Sequence, residues 1–292
     1  LRVFYRKQFA FGAVKTAFFF TSAGGYHIIH MYICKNHSAC RQRESAVNNM
    51  TYQYHTLTAE AAVQLVKDGD WVDYGFGAGF PELMDKALAA RKGEVTDVKI
   101  RGGLVIRPRI EVVECDPEQT SFHYYSWHIG DYERKLQSRG LVRFLPMILR
   151  SLPDLYRNHI RVDVACVPVS RPDAKGYCGL GISNYAWRTI FESARTVIFE
   201  INEHLPYIYG GFDESIHISE VDCVVEGEHP PLPEFPIAPP SEAESMIADH
   251  IIPYIQSGAT LQLGIGALPN TIGKMLADSD LKDLGMHTEL CG

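Results

Sequence analysis

Two stretches decide the fold: "GDWVDYGFGAGFPELMDKAL" (69–88) and "GATLQLGIGALPNTIGKML" (258–276). Each starts at a glycine, crosses a short apolar run, turns through Gly-x-Gly, meets a proline and opens a helical pattern. Gly69 corresponds to Gly258, Gly75 to Gly264 and Gly77 to Gly266 at one constant offset, while Pro81 and Pro269 differ by one place. Proline suits the first turn of a helix, where its missing N–H would have had no partner. The order strand, glycine loop, helix is thus written twice, and it predicts two domains built on one αβ plan.

The surroundings fit that plan. Thr58 is placed to cap a helix over "AEAAVQLVKDG" (59–69), ended by Gly69. "DVKIRGGLV" (97–105) and "FHYYSWH" (122–128) read as strands. "VDVACVPVS" (162–170) and "TVIFEINE" (196–203) are continuous apolar runs, the mark of strands buried on both faces. "GDYERKLQSRG" (130–140) and "AWRTIFESA" (186–194) read as helices between them. Strand and helix alternate, so the fold class is α/β with a mostly parallel sheet.

Domain limits follow from composition. "EGEHPPLPEFPIAPPS" (226–241) is rich in proline, which removes donors and favours extended chain, and it reads as a semi-rigid linker. A surface loop within one domain is the alternative. A fresh helical pattern, "EAESMIADHIIPYIQSG" (242–258), follows. The first domain is expected over 50–225, and 242–292 is the start of a second. Residues 1–49 lack period; "FAFGAVKTAFFF" (9–20) is too short to span a bilayer, and Lys15 interrupts it. This stretch is expected to be a non-native or poorly ordered extension, or alternatively a targeting segment removed near Ala23.

A net charge of -7 argues against a nucleic-acid surface, which would show a basic patch. The cysteines Cys34, Cys40, Cys115, Cys166, Cys178, Cys223 and Cys291 are scattered without a C-x-x-C pair. That dispersion predicts reduced thiols, a cytoplasmic protein and no metal site.

In "LQLGIGALPN" (261–270), Gly264 and Gly266 let the backbone turn sharply after a strand. The helix beyond then points its first amides back at the loop, where they favour an anion or a developing oxyanion. A plain tight turn is the simpler reading of Gly-x-Gly. The chain continues through this helix to about Ala277 and re-enters an apolar "MHTEL" (286–290). In a parallel βαβ unit both strand ends emerge on one edge, so Gly264–Leu268 and Glu289 are expected to face one crevice. A carboxylate beside oxyanion donors is a competent acyl acceptor. A solvated strand-end acid is the bland alternative.

Several segments also resemble a known family. They include "DGDWVDYG" (68–75), "DVKIRGGL" (97–104), "ESAR" (192–195), "EINE" (200–203), "IHISEVD" (216–222), "LQLGIGALPN" (261–270) and "SDLKDLGMHTE" (279–289). Together they are similar to the butyryl-CoA:acetate CoA-transferases, within the acetyl-CoA hydrolase/transferase and 4-hydroxybutyrate CoA-transferase family. The resemblance implies a CoA-transferase-like fold of the NagB/RpiA type in two similar domains. It implies Glu289 as nucleophile and Gly264, Ile265, Gly266, Ala267 and Leu268 as the loop that touches coenzyme A. The implied reactants are an acyl-CoA and a short-chain carboxylate such as acetate. No resident cofactor, nucleic acid or membrane is expected, and a homo-oligomer is allowed. Members of this family continue past the position of Gly292 with a further glycine-rich CoA-binding segment. The chain is therefore expected to be a fragment that alone neither holds CoA tightly nor turns over.

Other residues admit two readings. His128 could touch substrate or be a packed, hydrogen-bonded histidine. Arg101, Arg107 and Arg109 could meet CoA phosphates or be solvated strand-end charges. Tyr124, Tyr125 and Tyr132 read as core and interface residues. Water in place of the acceptor acid would make the same site a hydrolase, and a non-catalytic ligand-binding module is the alternative of another class.

Overall fold

A run such as Val164–Val169, buried at every position, needs a strand on each side and a layer above and below. The computed structural model supplies them, describing residues 54–107, 109–208, 213–233 and 239–288. The extension expected over 1–49 and the residue Glu289 lie outside the described residues. The described residues fall into two compact units, one ending at Pro233 and one beginning beyond it.

The first unit is built on an eight-stranded sheet in the order β1-β10-β8-β6-β2-β3-β4-β5. Its strands are β1 (Thr56–Leu57), β2 (Trp71–Phe76), β3 (Val98–Gly103), β4 (Phe122–Ser126), β5 (Val142–Phe144), β6 (Val164–Val169), β8 (Thr196–Ile201) and β10 (Cys223–Glu226). Every pairing in this sheet is parallel. A separate antiparallel ribbon joins β7 (Tyr177–Gly179) to β9 (Ser215–His217). The helices are α1 (Ala59–Ala62), α2 (Glu82–Ala89), α3 (Glu111–Glu114), α4 (Asp131–Ser138), α5 (Leu152–Asn158) and α6 (Trp187–Ser193). They enclose two apolar layers, one around Tyr74, Met84 and Ile100, the other around Tyr156, Trp187 and Phe199.

Strand order reverses at β2, which has β3 on one side and β6 on the other. In open parallel sheets this reversal is where a crevice opens at the C-terminal ends of the strands. β2 and β6 pair only at Val72–Val164 and Asp73–Ala165. Asp73 sits at that parting and lies opposite Arg101 of β3. The two form a buried bidentate pair at 2.9 and 2.6 Å. The Tyr156 hydroxyl donates to the same carboxylate at 2.6 Å, and Arg101 also donates to the Arg161 carbonyl at 2.9 Å. The guanidinium lies over the rings of Trp71 and Tyr156. Burial works against the Arg101 charge, but Asp73 and Tyr156 more than compensate and its pKa rises. Arg101 is thus neither a solvated strand-end charge nor a phosphate ligand.

Two local departures have physical causes. The predicted helix over 59–69 is shortened to α1 and a 3-10 turn, Val63–Leu65. The guanidinium of Arg91 takes the Val63 and Val66 carbonyls, at 2.5 and 2.8 Å, that a longer helix would have used internally. The first unit also runs on to Pro233, past the point where the proline-rich stretch begins, because His229 is buried against β8.

The second unit contains α7 (Glu242–Ile251), β11 (Thr260–Leu261), α8 (Ala267–Ala277) and β12 (Gly285–Met286). Ser241 caps α7, and Glu244 returns the bond to the Ser241 amide. β11 and β12 pair in parallel, and Ala248, Ile272 and Leu276 form the core beneath them.

Replacing Arg101 by Leu strands a buried carboxylate and should lower unfolding free energy by about 3–5 kcal/mol. Urea titration reads this directly, and a loss below about 1 kcal/mol contradicts the account. Asp85 gives a second check. Burial pushes its carboxyl up to about 8, although it accepts amide bonds from Glu111 and Val112. A raised acid is protonated in the fold and ionised in the unfolded chain, so stability falls as pH climbs from about 4 to about 8. Asp85→Asn should flatten that part of the stability–pH curve.

Candidate functional site

The glycine loop of the second unit runs from Leu263 into α8. Gly266, the residue before α8, has φ 129° and ψ 171°, a region open essentially to glycine. No side chain caps the helix, and Pro269 brings no N–H of its own. Asn270 donates back to the Gly266 carbonyl at 3.1 Å. The first-turn amides of Ala267 and Leu268 are left without an intrahelical acceptor. Gly264, Ile265 and Gly266 are exposed, while Ala267 and Leu268 are half-buried. The loop can therefore offer backbone donors to an anion.

Parallel register brings the end of β12 beside this loop. Leu261 pairs with Met286, and the His287 amide donates to the Leu261 carbonyl at 2.8 Å. The Thr288 hydroxyl donates to the carbonyl of Leu263, the residue before Gly264. Thr288 is the last described residue there, and Glu289 follows it in sequence, outside the described set.

A second glycine loop lies at the strand reversal of the first unit. Gly75 has φ 106°, and a Cβ there would meet the Gly79 carbonyl at 2.3 Å and Trp187 at 2.9 Å. The Gly79 amide donates to the Ser183 hydroxyl at 3.1 Å. Phe76 stacks on Trp127 at 4.8 Å, with His128 and Tyr185 against it. Trp127, Ile129, Arg134, Gln137 and Phe144 join His128 around a shallow cleft. His128 is exposed, so the packed, hydrogen-bonded reading of it is replaced by a ring at a cleft lip. Arg107 is buried and meets Glu82 at 3.2 Å, again unlike a solvated charge. Arg109 is exposed and pairs with Glu111 at 2.8 Å. Tyr124 is a core residue whose hydroxyl donates to Glu133 at 3.0 Å. Among the described residues, no cluster of His, Cys, Asp and Glu has the grouping needed for a metal ion.

Sequence reasoning passed over the buried acids. Asp73 and Glu200 sit inside otherwise apolar strands, and a charge in such a run was the available signal that a buried partner exists.

Comparison with known proteins decides the family. The model of the acetyl-CoA hydrolase/transferase N-terminal domain matches residues 38–236. The chain belongs to the acetyl-CoA hydrolase/transferase family. Within it, the butyryl-CoA:acetate CoA-transferase of Anaerostipes caccae is 43% identical over 241 residues, covering 82% of this chain and 54% of that protein. A probable butyrate:acetyl-CoA coenzyme A-transferase of Syntrophomonas wolfei is 39% identical, covering 82% of this chain and 53% of that protein. The crystal structure of RipA from Yersinia pestis matches with a TM-score of 0.72 at 32% identity, covering 80% of this chain and 56% of that one. The parallel sheet with flanking helices is thus a CoA-transferase-like fold. The chain spans about half the length of the curated relatives it matches.

The two loop glycines differ in what the fold demands of them. A Cβ on Gly264 meets nothing within 4 Å, so Gly264→Ala should leave thermal stability unchanged. Gly266→Ala forces an alanine into glycine-only backbone and should lose about 1–3 kcal/mol. Equal melting shifts for the two variants would contradict this assignment.

Proposed function

We propose that this chain is part of a CoA-transferase that moves CoA between a short-chain acyl-CoA, butyryl-CoA in the first instance, and a carboxylate such as acetate. The observation that carries the reading is the pairing of β12 with β11, which leads the chain toward residue 289 alongside the strand that opens into Gly264–Leu268. The names of the relatives, which pair butyryl-CoA with acetate, support the substrates.

In this mechanism the Glu289 carboxylate attacks the acyl-CoA carbonyl. The CoA thiolate leaves, and an acyl–glutamyl anhydride remains. The thiolate then attacks the glutamyl carbonyl, releasing the first acid and leaving a glutamyl-CoA thioester. The acceptor carboxylate attacks that thioester to form a new anhydride and free the thiolate. The thiolate takes the new acyl group and returns Glu289 to its starting form. Each attack puts negative charge on a carbonyl oxygen, and the open amides of Ala267 and Leu268 are suited to hold it. No resident cofactor is required, because coenzyme A enters and leaves as substrate.

The dispersed thiols fit a cytoplasmic setting; among the described residues Cys115, Cys166, Cys178 and Cys223 are free. No described helix is long and apolar enough to cross a membrane.

The natural protein that contains this sequence should convert butyryl-CoA to acetyl-CoA only when acetate is present. Its double-reciprocal plots should be parallel, as two-stage transfer requires. Release of free CoA independent of acetate would replace transfer by hydrolysis. Absence of both products would leave a ligand-binding module.

A further inference from the structure

Proline shapes the end of the first unit. Pro230, Pro231 and Pro233 bring no N–H to the stretch 227–233, so ordinary sheet pairing cannot fasten it. Side chains hold it instead. The ring of His229 is buried, with Nε2 at 3.1 Å from Glu200 Oε1 and Nδ1 at 3.2 Å from Glu203 Oε2. The His229 amide also donates to Glu203, at 3.4 Å. The His204 ring lies 3.0 Å from the His229 carbonyl, and Arg107 donates to the Pro231 carbonyl at 3.5 Å.

The chemistry of the ring is set by its neighbours. A carboxylate oxygen only accepts, and a neutral imidazole has one N–H to donate. Two ring nitrogens facing two carboxylates are both satisfied only in the imidazolium. Glu200 has a further duty. Its other oxygen accepts from the Met84 amide at 2.9 Å, in the first turn of α2, where Pro81 provides no side-chain cap. The charge on His229 therefore bears on the segment 227–233 and on the helix start after the Gly75 loop.

We propose that His229 is a proton-operated clasp: as the imidazolium it fastens residues 227–233 to the C-terminal edge of the sheet and steadies Glu200 as the cap of α2, and loss of its proton removes one of its two N–H donors and loosens both. This device stands apart from the proposed transfer reaction and does not depend on it. The charged and titratable groups facing His229 are Glu200 from β8 and Glu203 and His204 from the turn after it. Beyond them lie Glu82 from α2 and Arg107 from the loop after β3.

The sign follows from these groups. Burial alone lowers the His229 pKa, but bonds and charge from Glu200 and Glu203 outweigh it and hold it above the ordinary 6.5. Burial likewise works against the charge on Glu203, yet amide bonds and His229 keep that carboxyl below its usual range. A histidine raised in the fold contributes stability fully below its unfolded value, and that contribution fades as pH rises through the folded value. The clasp is closed in mildly acidic solution and opens toward alkaline pH.

Amide hydrogen exchange of the natural protein, corrected for intrinsic exchange rates and followed from about pH 6 to about pH 9, tests this. Protection at the His229 and Met84 amides should fall by up to about tenfold per pH unit from the ordinary imidazole value of 6.5 up to the folded pKa of the ring, and level off above it. His229→Gln should show low protection at both sites with no dependence on pH. Glu203→Gln changes only a part-exposed partner, so it remains informative if the first variant fails to fold. It should move the midpoint of the fall to lower pH. Protection that stays constant across this range in the unaltered protein, or a midpoint unmoved in Glu203→Gln, overturns the proposal.

Discussion

Parallel strands deliver all their C-terminal ends to one edge, and this constraint organises everything else in the first unit. It makes the place where strand order reverses the place where loops converge. At that reversal β2 must accept β3 on one side and part from β6 on the other. The buried Asp73–Arg101 pair sits at that parting and ties β2 to β3, while Tyr156 ties α5 to the same carboxylate. Removing either charge leaves the other desolvated, so one register is favoured over its neighbours. This pair is a device of architecture rather than chemistry, because both charges are consumed by each other.

The same constraint operates in the second unit on a smaller scale. β11 and β12 are short, yet their parallel pairing is enough to bring Thr288 against Leu263. The glycine loop then has a reason for its form. Gly266 needs its backbone conformation to start α8 without a capping side chain, which leaves amides open. Gly264 needs no such freedom, and a Cβ there would meet nothing within 4 Å. Reading the loop as a carbonyl-oxygen cradle uses both facts.

Much of the fold was legible because period and punctuation agreed. The apolar runs at 164–169 and 196–201 became central strands, and each glycine loop led from a strand into a helix. The shortening of α1 was not legible, because it depends on Arg91, a residue in the turn just past the next helix. Arg101 was misread for a related reason. A charge in a strand announces a buried partner, but identifying it as Asp73 needs the register between two strands, which periodicity does not supply. His229 was hidden by the prolines around it, which read as linker while the ring anchored the stretch to β8. In the candidate site, the loop 264–268 was visible from its glycines. The claim on Glu289 came from the βαβ topology and the family resemblance, and it stands as a proposal.

The most direct measurement is covalent capture at residue 289. The natural protein would be exposed to butyryl-CoA without acceptor, treated with borohydride, and digested for peptide mass analysis. A glutamyl-CoA thioester predicts that the Glu289 side chain is reduced to the alcohol, and that prior addition of acetate suppresses the change. An unmodified Glu289 in a preparation that still transfers CoA would contradict the account.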